Sequence, residues 1–224
     1  MSKKQTKKTQ IFIVDDHAMF RDGLRQLIDR EADLVVCGDA AEATSALEEI
    51  TRLKPDLVIV DISLSGESGI DLIRTIKDQH EELPVLVVSM HEESLYAERA
   101  LHAGALGYVM KQEPAKVLKA AIRKVLNGDM HLSERMAGSV FAKSIRNSDS
   151  LPPSPIEKLS DREFEVFQLI GQGKSTRDIA TQLHLSPKTV DVHRGHVKEK
   201  LELKDATSLV RHAVRWVETQ GQGQ

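Results

Sequence analysis

The chain has 224 residues, 34 acidic and 31 basic side chains and a net charge of −3, with 40% hydrophobic and 29% charged residues. That is the composition of an ordinary globular protein, long enough for one large or two modest domains with their own cores. No apolar run approaches the roughly 18 residues needed to span a bilayer, and the lone Cys37 excludes an internal disulfide.

The charge is unevenly spread. Residues 1–135 carry 23 acidic and 18 basic side chains, whereas residues 156–224 carry 10 and 11. Nucleic-acid binding by the C-terminal part therefore has to be argued from local clustering rather than from bulk charge. The basic N-terminus, Met1 to Lys8, lacks the apolar core of a secretory signal and reads as a disordered tail. Cys37, in the run Leu34-Val35-Val36-Cys37, reads as a small buried hydrophobe, and a reducing cytoplasm fits it.

Between residues 10 and 127, short apolar runs alternate with helical patterns five times. The strands read Ile11–Val14, Leu34–Cys37, Leu57–Val60, Val85–Val88 and Tyr108–Met110. Between them Ala43, Ala46, Leu47, Ile50 and Leu53 recur at helical spacing, as do Gly69, Leu72, Ile73 and Ile76, then Val117, Leu118, Ala121, Ile122 and Val125. Pro114 suits the first turn of the fifth helix and Asn127-Gly128 its end. This alternation predicts an α/β, doubly wound, five-stranded parallel sheet in the order 2-1-3-4-5, the flavodoxin-like arrangement.

In that order the first and third strands lie side by side, so Asp15 and Asp16, ending the first, meet Asp61, ending the third. An isolated aspartate at such a place equally serves as a turn or cap. Three convergent carboxylates, however, raise one another's pKa unless a cation neutralises them, and an all-oxygen cluster suits Mg2+. Ser89 and Lys111 end the fourth and fifth strands, where a hydroxyl and an ammonium can hold the oxygens of a phosphoryl group on Asp61.

With these five positions, residues 10–127 resemble the receiver domain of bacterial response regulators. The resemblance implies that Asp61 accepts a phosphoryl group from a sensor histidine kinase. It also implies that Asp16, Asp61 and the backbone carbonyl of Ser63 hold Mg2+, with Asp15 helping through water. Ser89 and Tyr108 are then expected to move together on phosphorylation. The chain departs from the pattern at Ser65 and Gln112, where prolines are usual, changes expected to affect loop stiffness rather than phosphate chemistry.

Residues 128–155 form the joint: a candidate helix over Ser133–Ile145, then the polar, proline-rich stretch Arg146–Pro155, which has the composition of an extended linker. Residues 156–220 read as an all-α, four-helix domain. Ser160-Asp161-Arg162-Glu163 is a capping box opening a helix that turns Phe164, Phe167 and Leu169-Ile170 inward and stops at Gly171-Gln172-Gly173. Ser175 starts a second helix, His184-Leu185 make a turn, and Ser186-Pro187 open a third that runs to about Leu201. Asp205 caps a fourth, whose stripe of Leu209, Val210, Ala213 and Val217 suits either a two-fold contact or the domain's own core.

A short helix, a tight turn and a longer helix is the helix-turn-helix arrangement. The outward face of the third helix offers Lys188, Thr189, Asp191, Val192, His193, Arg194 and Lys198, which serve either as a solvated face or as contacts to DNA. The order Leu159-Ser160-Asp161-Arg162-Glu163, Gly173-Lys174-Ser175, Ile179-Ala180, Leu185 to Val190 and His193-Arg194 resembles the LuxR-type helix-turn-helix of the NarL/FixJ class. The two modules together imply a phosphorylation-controlled, DNA-binding transcription regulator, a homodimer on phosphorylation or on DNA, with no membrane partner and no enzymatic role. Two other readings remain: a DNA-binding protein with an inert receiver, and an aspartyl-phosphate hydrolase. The hydrolase needs a second acid two residues after the nucleophile, where this chain has Ser63.

Overall fold

A computed structural model describes residues 8–65, 67–138, 140 and 155–221. The chain divides into two compact units, 1–148 and 149–224.

In the first unit, β1 (Thr9–Val14), β2 (Leu34–Ala40), β3 (Leu57–Val60), β6 (Val85–Ser89) and β7 (Gly107–Met110) form a parallel sheet in the order β2-β1-β3-β6-β7. This is the doubly wound order read from the alternation. Each of Leu57 to Val60 is at most 1% exposed, as expected for a strand covered on both faces. Strand alternation sends Ile11, Ile13, Leu57, Ile59, Leu86 and Val88 to one face, where they pack with Leu24 and Ile28 of α1 (Ala18–Asp29) and with Leu118, Ala121, Ile122 and Val125 of α5 (Ala115–Leu126). The other face belongs to α2 (Ala43–Leu53), α3 (Gly69–Gln79) and α4 (Glu93–His102), which bury Ile50, Ile73, Ile76 and Tyr96.

Two additions modify the expected picture. A two-residue hairpin, β4 (Ser63–Leu64) with β5 (Glu67–Ser68), follows Asp61 and folds the acceptor loop back on itself. Cys37 is only half-buried, its thiol 3.4 Å from the Ile11 carbonyl; burial pushes that thiol's pKa up. The candidate helix over 133–145 is helical at 134–138 and at 140, while residues 139 and 141–145, like residues 146–154 of the linker, lie outside the described residues.

The second unit holds a short 3-10 turn (Pro155–Lys158) and four helices: α6 (Asp161–Gly171), α7 (Thr176–Gln182), α8 (Pro187–Lys200) and α9 (Ala206–Gly221). The capping signals operate as read. Ser160 accepts from the Glu163 amide while Glu163 accepts from the Ser160 amide at 2.8 Å; Ser175 and Asp178 repeat the device, and Ser186 caps α8 with Pro187 in its first turn. His184, at φ 53°, makes the tight turn between α7 and α8. Phe164, Phe167, Ile179, Val190, Val197, Leu209 and Ala213 form the core, and the Trp216 ring meets Phe164 edge-on at 5.4 Å. Gly171 is required where α6 meets α9, because a Cβ there would lie 2.5 Å from the Ala213 carbonyl.

Candidate functional site

Strand register builds the first site. Val14 pairs with Val60, so Asp15 and Asp61 leave neighbouring strands at the same edge, and the Asp61 amide donates to the Val14 carbonyl at 2.9 Å. Ser89 pairs with Met110, and the amide of Lys111 donates to the Ser89 carbonyl at 2.8 Å. Behind the acceptor, Gly69 opens α3 so closely that a Cβ would stand 1.9 Å from the Asp61 carbonyl. Only glycine permits that approach.

The side chains converge accordingly. Lys111 Nζ sits 2.6 Å from Asp15 Oδ2 and 2.7 Å from Asp61 Oδ2, and those two carboxylates are 2% and 3% exposed. Burial works against the Lys111 charge, but Asp61 and Asp15 outweigh it and hold the ammonium above its ordinary pKa. For Asp15 burial is the dominant influence; with the Asp61 charge beside it, it pushes the carboxyl up against the pull of Lys111. One ammonium therefore pairs with two of the three carboxylates, Asp15 and Asp61. Asp61 Oδ1 and Asp16 Oδ1 are buried without a hydrogen-bond partner. A buried, unpartnered carboxylate oxygen carries a desolvation cost that a cation would remove. Asp16 Oδ1 does lie 2.6 Å from His17 Nδ1, but the approach lacks hydrogen-bond geometry. One ligand atom from each of Asp15, Asp16, His17 and Asp61 falls within 4.8 Å of all the others. This oxygen-rich donor set fits a hard dication such as Mg2+.

Around this cluster lie residues that strand-end reasoning missed. Ser65 donates to Asp16 Oδ2 at 3.0 Å, so its hydroxyl touches the acidic pair as well as changing loop stiffness. His91 Nε2 shares a 2.7 Å hydrogen bond with Ser63 Oγ, and the His91 amide approaches Ser89 Oγ at 3.4 Å. Tyr108 points inward, 2% exposed, and donates to the His91 carbonyl at 2.9 Å; burial drives its phenol pKa far up. The only hint in the sequence is spacing: His17 follows the acidic pair, and His91 stands two residues after Ser89.

The second site is α8. Lys188, Asp191 and Val192 are exposed, Val192 at 48%, while Thr189, His193, Arg194 and Lys198 are partly covered. Arg194 donates to Thr176 Oγ1 at 3.1 Å, which ties α8 to α7. Its inward positions, Val190 and Val197, are fully buried. On α9, by contrast, Leu209 and Ala213 are 0% exposed and belong to the unit's own core; Val217 is half-buried, and Val210 is 40% exposed.

Residues 11–123 match the family described as "Response regulator receiver domain", and residues 157–213 match "Bacterial regulatory proteins, luxR family". The chain is 33% identical over 210 residues to oxygen regulatory protein NreC of Staphylococcus haemolyticus, covering 92% of this chain and 97% of that one. The chain belongs to the LuxR-type response regulators. Among solved structures, a LuxR-family two-component response regulator from Aurantimonas sp. SI85-9A1 is 33% identical with a TM-score of 0.57, over 62% of this chain and 99% of that one. Response regulator ChrA of a heme-sensing two-component system is 29% identical with a TM-score of 0.50, over 93% and 97%. RcsB from Salmonella enterica serovar Typhimurium, bound to promoter rprA, shares the fold at 22% identity and a TM-score of 0.59, over 93% and 99%. As a LuxR-type response regulator, this chain is a DNA-binding member of a two-component system. No helix among the described residues is long and apolar enough to cross a membrane.

Proposed function

We propose that Asp61 is the phosphoacceptor and that its phosphorylation by a sensor histidine kinase controls DNA binding through α8. The observation that carries this reading is Asp61 Oδ1: buried, unpartnered and attached to a carboxylate whose other oxygen is fixed by Lys111. A carboxylate oxygen of Asp61 attacks the phosphorus of the kinase's phosphohistidine, the P–N bond breaks, and the leaving imidazole nitrogen keeps the electron pair and takes a proton. The product is an acyl phosphate on Asp61. Lys111 and the fully buried Ser89 hydroxyl stand where positive charge and a donor stabilise the phosphoryl oxygens. Asp16, Asp61 and the Ser63 carbonyl, with Asp15 helping through water, would hold Mg2+, which would supply further neutralisation of the incoming phosphoryl charge. Tyr108, through its bond to the His91 carbonyl, and Ser89, through the His91 amide, couple the site to the loop leading into α4. Ser63 stands where a hydrolase needs its second acid, which favours a regulator over an enzyme.

On this reading the receiver spans 10–127, the joint 128–155 and the DNA-binding domain 156–220. In α8, Lys188, Thr189, Asp191, Val192, His193, Arg194 and Lys198 supply the contacts to DNA. Homodimerisation through α9 narrows to Val210 and the exposed edge of Val217, since Leu209 and Ala213 are committed to the core. The test is incubation with acetyl phosphate and Mg2+. The intact chain gains one phosphoryl group by mass spectrometry and Asp61→Ala gains none; undiminished labelling of that variant would refute the assignment.

A further inference from the structure

We propose that His17 completes the acidic site as a nitrogen ligand, so that it takes a first-row transition dication such as Ni2+ more tightly than Mg2+. The inference rests on the reading that this cluster binds a divalent ion. His17 Nδ1 lies 2.6 Å from Asp16 Oδ1 and 3.4 Å from Asp15 Oδ1, and it belongs to the group of four whose ligand atoms all fall within 4.8 Å. Independently of that grouping, Asp61 is 3% exposed and its Oδ1 has no partner, while Lys111 occupies the opposite oxygens, Asp15 Oδ2 and Asp61 Oδ2. The free oxygens and the imidazole nitrogen are therefore the groups left for an ion.

His17 is also fixed at its root. Its amide donates to Asp15 Oδ1 at 2.8 Å, and its carbonyl accepts from the amides of Phe20 and Arg21 as α1 begins. The ring itself is 66% exposed, so an alanine at this position disturbs no packing and keeps all three backbone hydrogen bonds. Mg2+ takes oxygen ligands, whereas imidazole suits the later first-row metals, whose affinity at a given site rises from Mn2+ to Cu2+. A single nitrogen thus adds to the binding of Ni2+ and not to that of Mg2+. A plain ion pair between His17 and Asp16 predicts the contrary: removing the imidazole frees the carboxylate and tightens both ions alike.

The experiment is calorimetric titration of the intact chain and of His17→Ala with Mg2+ and with Ni2+. The chain has nine histidines, so the Ni2+ counted is the fraction that excess Mg2+ displaces. The proposal expects His17→Ala to lose about tenfold or more in displaceable Ni2+ affinity, while Mg2+ affinity stays within about twofold. Unchanged Mg2+ binding also shows that the variant's site is folded. A Ni2+ affinity that is unchanged, or that moves in parallel with Mg2+, overturns the proposal and leaves the Mg2+ reading standing. If Mg2+ binds to neither protein, the metal reading under Proposed function falls with it.

Discussion

Removing the Lys111 ammonium leaves Asp15 and Asp61, both almost wholly buried, facing each other without a counter-charge. Breaking a buried pair by deleting one partner costs about 3–5 kcal/mol. Lys111→Met should therefore destabilise the receiver by about that amount in the absence of metal, with millimolar Mg2+ restoring part of it. Far-ultraviolet circular dichroism would register the early loss, while the fluorescence of Trp216, the only tryptophan, should not shift with it. A Lys111→Met receiver as stable as the original would show that the ammonium is not the internal counter-ion. These residues were legible in the sequence because each follows directly on a short apolar run, and parallel strands in register bring such ends together. His17, Ser65 and His91 were not, because their contacts depend on the paths of the loops after the strands. The hairpin that carries Ser63 has only two residues per strand, below what alternation can reveal.

Helices were legible in proportion to their caps and stripes. Those of the second unit announce themselves by Ser160, Ser175, Ser186 and Asp205, whereas α4 has only Tyr96, Ala97 and Ala100 buried and gave no distinct stripe. One cap yields a pH prediction. Burial alone would raise the Glu163 carboxyl, but the Lys200 ammonium at 2.6 Å and the Ser160 donors outweigh it and hold the pKa below its ordinary value. A depressed carboxyl stabilises the fold above its unfolded pKa and loses that contribution as pH falls through the folded value. Stability followed by Trp216 fluorescence should thus decline from about pH 5 downward. Glu163→Gln should be less stable at neutral pH and show a shallower decline; an identical profile would remove Glu163 from the account. On α8, Lys188→Ala should weaken binding to every DNA sequence alike and lower the salt slope by about one. If binding is lost at a single base pair only, Lys188 reads bases rather than phosphate.

At the scale of the whole molecule, a receiver and a LuxR-type helix-turn-helix were both recoverable from residue order, because each carries its own start signals and its own core. What residue order could not settle was the α9 stripe, where an apolar face serves an internal core and a two-fold contact equally well; burial of Leu209 and Ala213 assigns those two to the core. The account joins the modules through one claim, that phosphate on Asp61 governs what α8 does. The most direct test measures DNA affinity and oligomeric state of the intact chain, with and without acetyl phosphate and Mg2+, alongside Asp61→Ala. The account predicts that phosphorylation changes affinity, oligomeric state or both in the intact chain, and that Asp61→Ala stays at the unphosphorylated value throughout. A phosphorylated chain that matches the unphosphorylated one in both quantities would contradict it and leave a DNA-binding protein whose receiver does not control it.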